Sequence, residues 1–425
     1  MRTLQVIARV AQVLFWSFVA FCRFAVGAPA ALLPSGARRR RAGALAANVF
    51  RRWLQDLGAT FIKVGQILST RPDILPEYAI AELALLQDQV PPFAFPIVER
   101  TIEAELGQPV SHLFRHLDPV PIASASVAQV HAGELPTGER VAVKVRRPDI
   151  VRTAELDEVI MKLLARAASL LPTVHFLSPV ESVSEFCAAI RDQLDLTKEA
   201  ANNRRFRANF ASSPEVRFPA LHEALCSPSV LTMELIDGVK EGSLSTIDAD
   251  PKRLARIGSR AVLQMIFRHG FVHADLHPGN ILFEPGNRVT FIDLGMVGRI
   301  DPERRRALAT LFFALAANDG ATVARIMFEQ SPHKVVTDYQ AYEADVTGFI
   351  ATFYAKRLGD VEVSLLIGHV FRIIRRHRIR AEAAFTIINI AFIVMEGLGK
   401  KLDPTMDLFT ETMPFLAELL AERPS

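Results

Sequence analysis

The sequence predicts an α+β fold with two lobes and a helical N-terminal extension, and three observations carry that reading. Between residues 120 and 145 the apolar pattern alternates at the period of a strand, VPIASASVAQVH followed by ERVAVKV, on either side of Pro136-Thr137-Gly138. After Pro251 the chain reads as helix to its end, apart from 280 to 293. Ahead of these, NVFRRWLQDLGATFIKVGQILST carries Phe50, Leu54, Leu57, Phe61, Val64 and Leu68 on one helical stripe that Arg71-Pro72 stops. The chain therefore divides into a basic segment (1–45), a helical extension (46–115), a β-containing N-lobe (116–240) and a helical C-lobe (241–425).

Within the extension, Gly58 and Gly65 fall on the stripe side, where a missing side chain permits close helix contact, and Lys63 and Gln66 project from other faces. Residues 155 to 171 form a helix and 181 to 210 a longer one, on which Asp195, Glu199 and Asn202 share a face at spacings of four and three. Residues 229 to 235, SVLTMEL, read as a strand before the turn at Asp237-Gly238.

Composition removes several classes. Half of the 425 residues are hydrophobic and 22% charged, which excludes disorder and collagen-like structure. Cys22, Cys187 and Cys226 lie far apart with no CxxC, against a disulfide framework or a cysteine zinc site, and a reducing compartment follows as the simplest home. The formal net charge of +3 hides an asymmetry: nine Arg and one acid, Asp56, occupy the first 60 residues, +8 there against −5 for the remainder.

Arg9 and Arg23 bracket the uncharged run VAQVLFWSFVAFC, shorter than the roughly 20 residues a spanning helix needs. On a helix, Arg2, Gln5, Arg9, Gln12, Trp16 and Arg23 form one stripe, while Ile7, Val10, Leu14, Phe18 and Phe21 face away. The pattern favours a helix lying in a membrane interface, with Arg38 to Arg41 against anionic headgroups. A kinked span would have to recruit FAVGAPAALLP, whose two prolines oppose one continuous helix; a helix docked on the protein itself gives the same pattern, and Arg23 counts against a cleaved signal.

The chemistry is concentrated in FVHADLHPGNILFEPGNRVTFIDLG, residues 271 to 295. His273, Asp275 and Asn280 reproduce H-x-D-x-x-x-x-N, the catalytic-loop spacing of kinases, and Asp293-Leu294-Gly295 takes the place of D-F-G. Phosphoryl transfer needs two hard oxygen ligands on Mg2+ and a carboxylate beside the attacking oxygen. Asn280 and Asp293 suit the first role and Asp275 the second. Lys144 ends VAVK as the phosphate-holding strand lysine, with Glu199 as its candidate helix partner. No G-x-G-x-x-G precedes Lys144; the loop is Ala123-Ser124-Ala125-Ser126-Val127-Ala128-Gln129, whose Cβ atoms restrict the backbone. No A-P-E or long activation segment follows Asp293, which disfavours a protein substrate.

With these motifs the chain resembles the UbiB/AarF-type atypical kinases linked to isoprenoid-quinone biosynthesis, over roughly residues 46 to 405. Lys63-Val64-Gly65-Gln66 matches the family's KxGQ signature, SASVAQVH its Ala-rich nucleotide loop, LDLTKEAAN its αC helix, and HADLHPGNIL with IDLG its metal-binding loops; EGLGKKLDP looks like a C-terminal tract of the family. The resemblance implies a protein-kinase-like fold that binds ATP and Mg2+. Nucleotide would meet Ala123, Ser124, Ala125, Ser126, Val127, Lys144 and Glu234, metal would meet Asn280 and Asp293, and catalysis would use Asp275, Lys144 and Glu199. Lys63, Gln66 and Asp195 would belong to a regulatory cover. The family's ExD element falls on Gln193-Leu194-Asp195, so its first acid is an amide here and Lys63 is expected to seek Asp195. The ending TMPFLAELLAERPS is too short and charged to span, which leaves membrane contact to the N-terminal helix. The implied function is an ATPase or kinase supporting quinone biosynthesis at the cytoplasmic (or matrix) side of an anionic membrane surface, with quinone precursors and quinone-biosynthesis enzymes as partners and no nucleic acid. A small-molecule or lipid phosphotransferase and a nucleotide-binding scaffold are the alternatives.

Overall fold

β-Branched residues at alternate positions build the sheet around which the first half of the chain folds. A computed structural model describes residues 2–31, 38–69, 75–86, 91–170, 178–331, 338–354, 363–379 and 383–421. They form two compact units, Met1–Thr197 with Leu221–Glu234, and Lys198–Ala220 with Leu235–Ser425.

In the first unit, strands His116–Leu117, Ala128–Glu134, Arg140–Arg146 and Val230–Glu234 lie antiparallel in that order, and Ala123-Ser124 pairs back onto the second. The expected hairpin is present, but its first strand is interrupted: Ala125 N–H donates to Ala128 O, closing a tight turn inside the SASVAQ sequence. Val141, Val143 and Val145 point to one face, fully buried against Val98, Ile102 and Phe114, so Lys144 is on the other. In register, Lys144 sits between Val130 and Leu231.

Helices Arg2–Ala31, Arg38–Leu57, Ala59–Ser69, Glu77–Leu83, Phe95–Leu106, Val110–Leu113, Ile150–Ala168 and Pro179–Leu194 complete this unit among the described residues. Two expectations about the extension need correction. The helix of the extension is two helices, because Gly58 takes φ +98°, a conformation open to glycine, and nothing approaches the position of its absent Cβ. Gly58 thus serves the break and not packing; Gly65 is the close-contact glycine, with a Cβ there falling 2.1 Å from Leu86 Cδ1 and 2.7 Å from Leu54 Cδ1. The expected stop at Arg71-Pro72 lies outside the described residues.

The 181–210 helix is likewise two, Pro179–Leu194 and Leu196–Asn209. Asp195 is extended between them (φ −105°, ψ 100°), and its Oδ1 accepts from Thr197 N–H at 3.0 Å and Thr197 Oγ1–H at 2.6 Å. Asp195 therefore caps the second helix and does not share a face with Glu199 and Asn202.

The N-terminal helix is continuous from Arg2 to Ala31 in spite of Pro29, which stands two residues from its end. Its polar stripe faces the protein. Arg9 Nε is 2.6 Å from Asp157 Oδ1, its Nη2 donates to Leu57 O at 2.7 Å, and its guanidinium lies over the Phe61 ring. Arg23 pairs with Asp56 at 2.5 Å, and Trp53 Nε1 donates to Ser17 Oγ at 3.2 Å. Leu4, Ile7, Leu14, Phe15, Phe18 and Phe21 are left exposed, Phe18 and Phe21 to about two thirds.

The second unit is helical around one phenylalanine-rich core, in which Phe206, Phe218, Phe267, Phe271, Phe291, Phe312 and Phe392 are buried and Phe206 meets Phe271 at 4.7 Å between centroids. Strands Ile281–Glu284 and Arg288–Phe291 form a hairpin to which Val216–Arg217 adds in parallel. Phe271–His273 pairs with Val297–Arg299. Aspartates at 250, 301 and 319 cap the helices Pro251–Leu263, Pro302–Ala316 and Gly320–Glu329 through their side chains.

The glycines of the extension supply a packing test. Gly65→Val should cost about 1–3 kcal/mol by overpacking, and Gly58→Ala about 1 kcal/mol by backbone strain alone. Equilibrium denaturation of the two variants checks this, and a larger loss at Gly58 would contradict the assignment.

Candidate active site

Strand Phe271–His273 ends in the core, which forces the next seven residues to turn at its edge. His273 is fully buried and organises the turn. Asp275 N–H donates to its Nδ1 at 3.2 Å, so its Nε2 carries the proton and donates to Ile292 O at 3.1 Å. Burial pushes the imidazole pKa down, outweighing the opposing pull of the Ile292 carbonyl and of Asp275 and Asp293, so the ring is neutral. His277 repeats the device at the surface, its Nδ1 accepting from Gly279 N–H at 3.0 Å.

The two halves of the motif are tied by backbone as well. Ile292 N–H donates to Asn280 O at 3.0 Å, and Ala274 N–H to Met296 O at 3.0 Å. Asn280, buried, donates through Nδ2 to Asp275 O at 3.1 Å. That bond commits the amide nitrogen and leaves Oδ1 as the end available to a cation. Asp293 holds φ +57°, a left-handed conformation that aspartate tolerates, and its side chain is exposed.

Helix Leu196–Asn209 supplies the remaining groups. Asn202 Nδ2 donates to Leu294 O at 2.9 Å and so fixes the Asp-Leu-Gly turn to this helix. One helical turn earlier, the buried Glu199 stands beside Gly295: a Cβ at Gly295 would be 3.3 Å from Glu199 Oε2 and 3.8 Å from Asp293 Oδ1. The fold thus gathers Glu199, Asp275, Asn280 and Asp293, and a side chain at Gly295 would crowd the Glu199 carboxylate.

In the first unit, Lys144 is half-buried on its strand, with the 123–127 loop on the neighbouring strand's near end and Glu234 at the end of Val230–Glu234. Gln66 donates to Leu86 O at 3.3 Å, a bond internal to the helical extension, and Lys63 is half-buried on the same helix. Three further residues hold these segments, each within its own unit, by hydrogen bonds and were not singled out as site members. Asn202 was recognisable only by its face, while Gln129 and Arg147, described below, alternate with or follow strand residues and gave no separate signal.

The donor set suits magnesium. Asn280 and Asp293 offer hard oxygens, and among the described residues no group of three or more His, Cys, Asp or Glu converges as a metal cage. A cation held by one carboxylate and one amide oxygen completes its shell with phosphate and water, which is the habit of Mg2+.

A sheet bearing a VAVK lysine, together with a helical unit that presents H-x-D-x-x-x-x-N against Asp-Leu-Gly, defines a protein-kinase-like chain. Residues 85–327 match the ABC1 atypical kinase-like domain, and residues 346–407 match the UbiB helical domain. A probable protein kinase UbiB of Pseudomonas fluorescens (strain Pf0-1) is 38% identical over 380 residues, covering 88% of this chain and 71% of that protein. The corresponding protein of Pseudomonas paraeruginosa is 37% identical over the same shares. Among solved structures, the Rv3197–erythromycin complex of Mycobacterium tuberculosis is similar at a TM-score of 0.48 and 22% identity, over 80% of this chain and 91% of that one. The chain belongs to the UbiB family of atypical kinases.

His273 is open to test by pH. Burial lowers the pKa values of His131, His269 and His273 below the ordinary 6.5. Below pH 6.5 the unfolded chain therefore binds protons that the folded chain does not, and stability, complete above 6.5, falls as pH drops. His273→Gln, whose amide can donate to Ile292 O and accept from Asp275 N–H, should reduce the loss between pH 7.5 and 5.5 by about 1 kcal/mol. Urea unfolding at the two pH values measures it; an unchanged pH dependence would mean that His273 is not the neutral strut.

Proposed function

We propose that this chain binds ATP with Mg2+ and transfers or hydrolyses its terminal phosphoryl group at a membrane surface, in support of isoprenoid-quinone biosynthesis. The observation that carries the reading is the wiring of residues 273 to 296, in which His273 joins Asp275 to Ile292 and Asn280 bonds to Asp275, so that the three candidate oxygen donors Asp275, Asn280 and Asp293 belong to one connected loop pair. Mg2+ bound by Asn280 and Asp293 would supply charge that offsets the phosphates. Asp275 would orient the attacking water or hydroxyl and take up its proton at a carboxylate oxygen. Lys144 would hold phosphate oxygens, and Glu199 would orient Lys144. The Ala-rich loop 123–127 would cover the nucleotide, and Lys63 and Gln66 would belong to a cover over the cleft.

Asp293→Asn keeps a residue tolerant of the left-handed backbone and removes the charge. It should abolish Mg2+-dependent nucleotide binding, with ATP affinity down by at least about tenfold, while leaving the unfolding temperature of the free protein unchanged. Thermal shift with Mg2+ and ATP, followed by phosphate release with and without membrane lipid extract, tests the assignment; equal nucleotide affinity in variant and parent would refute it. Label appearing on a small molecule or lipid would identify an acceptor other than water.

The membrane half of the proposal is supported by the orientation of helix Arg2–Ala31. Length and composition would let Leu4–Gly27 cross a bilayer, yet Arg9 and Arg23 are paired with Asp157 and Asp56 along its protein-facing side. A helix so held lies in the plane of the surface. Each large apolar side chain gains about 1.5–3 kcal/mol on full burial, against about 1 kcal/mol for a basic residue near anionic lipid. The exposed phenylalanines therefore dominate, with exposed Arg41 adding a preference for anionic headgroups. The full chain should sediment with neutral vesicles and more strongly with anionic ones, and Phe18→Ser/Phe21→Ser should weaken both by about tenfold or more. Binding to anionic vesicles alone, untouched by that double substitution, would exclude docking by the apolar face.

A further inference from the structure

Three residues beyond Lys144 the chain leaves its strand at Arg147, a half-buried arginine with no part in the chemistry above. Its Nε donates to Ala125 O at 2.7 Å, its Nη2 to Ser124 Oγ at 2.9 Å, and its backbone N–H to Val127 O at 2.8 Å. One arginine thus grips the Ala-rich loop at three points, Ser124, Ala125 and Val127. The same Nη2 donates to Pro91 O at 2.9 Å, and the guanidinium lies 5.5 Å from the centroid of the Phe93 ring. The loop and the 91–93 segment of the helical extension are therefore bound to a single planar group, which a fork of fixed donors does better than a flexible ammonium.

A second side chain ties the same segment to the same sheet. Gln129, fully buried, accepts from Phe93 N–H at 2.9 Å and donates to Phe93 O at 3.2 Å. Its Nε2 also donates to His131 Nε2 at 2.8 Å, so His131 carries its proton on Nδ1 and donates it to Asp118 O at 2.7 Å. His131 is kept neutral by burial, the condition for accepting that bond. The polar atoms of Phe93's backbone are thereby satisfied by one buried amide, as a strand neighbour would satisfy them.

We propose that Arg147 is a positioning residue that, with Gln129, latches the 123–127 loop to the segment Pro91–Phe93, so that the shape in which the loop meets nucleotide is set through the helical extension. The proposal rests on the reading of this loop as a nucleotide site. A glycine-rich loop samples many conformations and closes over its ligand by its own freedom; this loop has Cβ atoms and a fixed carbonyl at Ala125, so its shape is chosen in advance by what Arg147 holds. Preorganisation of that kind changes affinity by sparing the cost of ordering.

The test uses the full chain with Arg147→Ala, Arg147→Lys, Ser124→Ala and Phe93→Leu. Amide hydrogen exchange without nucleotide should accelerate by about tenfold or more across 123–128 and 91–95 in Arg147→Ala, with strand residues 141–145 unchanged. The affinities for ATP and ADP, from titrations with Mg2+, should fall by about threefold or more, and Arg147→Lys should restore only part of the loss. Ser124→Ala and Phe93→Leu each remove one contact and should shift both readouts less, in the same direction; they carry the test if Arg147→Ala does not fold. Unchanged loop exchange in a folded Arg147→Ala protein overturns the latch, and a loosened loop with unchanged nucleotide affinities overturns its bearing on nucleotide. If the parent chain binds neither nucleotide, the functional reading fails and the exchange data alone decide the latch.

Discussion

A buried imidazole can join two segments of backbone only while it stays neutral, with one nitrogen free to accept and the other to donate. The arrangement of residues 273 to 296 depends on that condition. His273 receives the Asp275 amide on one side and gives its proton to the Ile292 carbonyl on the other, so the distance between the catalytic loop and the Asp-Leu-Gly turn is set by the width of one ring. His273 is buried, as are Phe271, Phe291 and Leu294 of the same segments, and that burial holds the ring in the state that makes both bonds. The apolar core thus acts electrostatically as well as by packing: the same burial that stabilises the unit keeps the ring neutral, and its two hydrogen bonds select the tautomer.

Much of this was legible in the sequence because kinase chemistry fixes residue types at fixed spacings. The strand bearing Lys144, the loop from His273 to Asn280 and the turn at Asp293 were all recognisable, and so was Gly65 as a point of close contact. The two helix breaks were not, because a local interaction defeated the apolar period. At Gly58 the stripe continues through the break, and only the backbone angle interrupts it. At Asp195 the side chain bonds to Thr197, two residues on, and turns the chain out of helix; D-x-T carries that signal, but a pattern of three polar residues at helical spacing masked it.

Partners far apart in sequence were beyond any local reading. Arg9 and Asp157 are separated by 148 positions, and nothing near either residue points to the other. The amphipathic pattern of the first helix was visible, but its polarity was ambiguous: a stripe of arginines reads equally as a face toward water or a face toward buried carboxylates. Asp157 is completely enclosed, and a carboxylate in such a place needs a cation. Once Arg9 meets that need, the apolar face has nowhere to go but outward. The same uncertainty covered Gln129 and His131, whose alternation announced burial without saying what each would bind.

The left-handed backbone of Asp293 bears on how such a protein could change over generations. At φ +57° a β-branched or bulky residue is strained, whereas asparagine and glycine are at ease. Both are one base change from an aspartate codon. The residue most exposed to loss of its charge is therefore also the one whose commonest replacements leave the chain foldable. With Asp293 a metal ligand as proposed, a lineage could shed that role in a single step and retain an intact protein, free to be selected for what its surfaces hold.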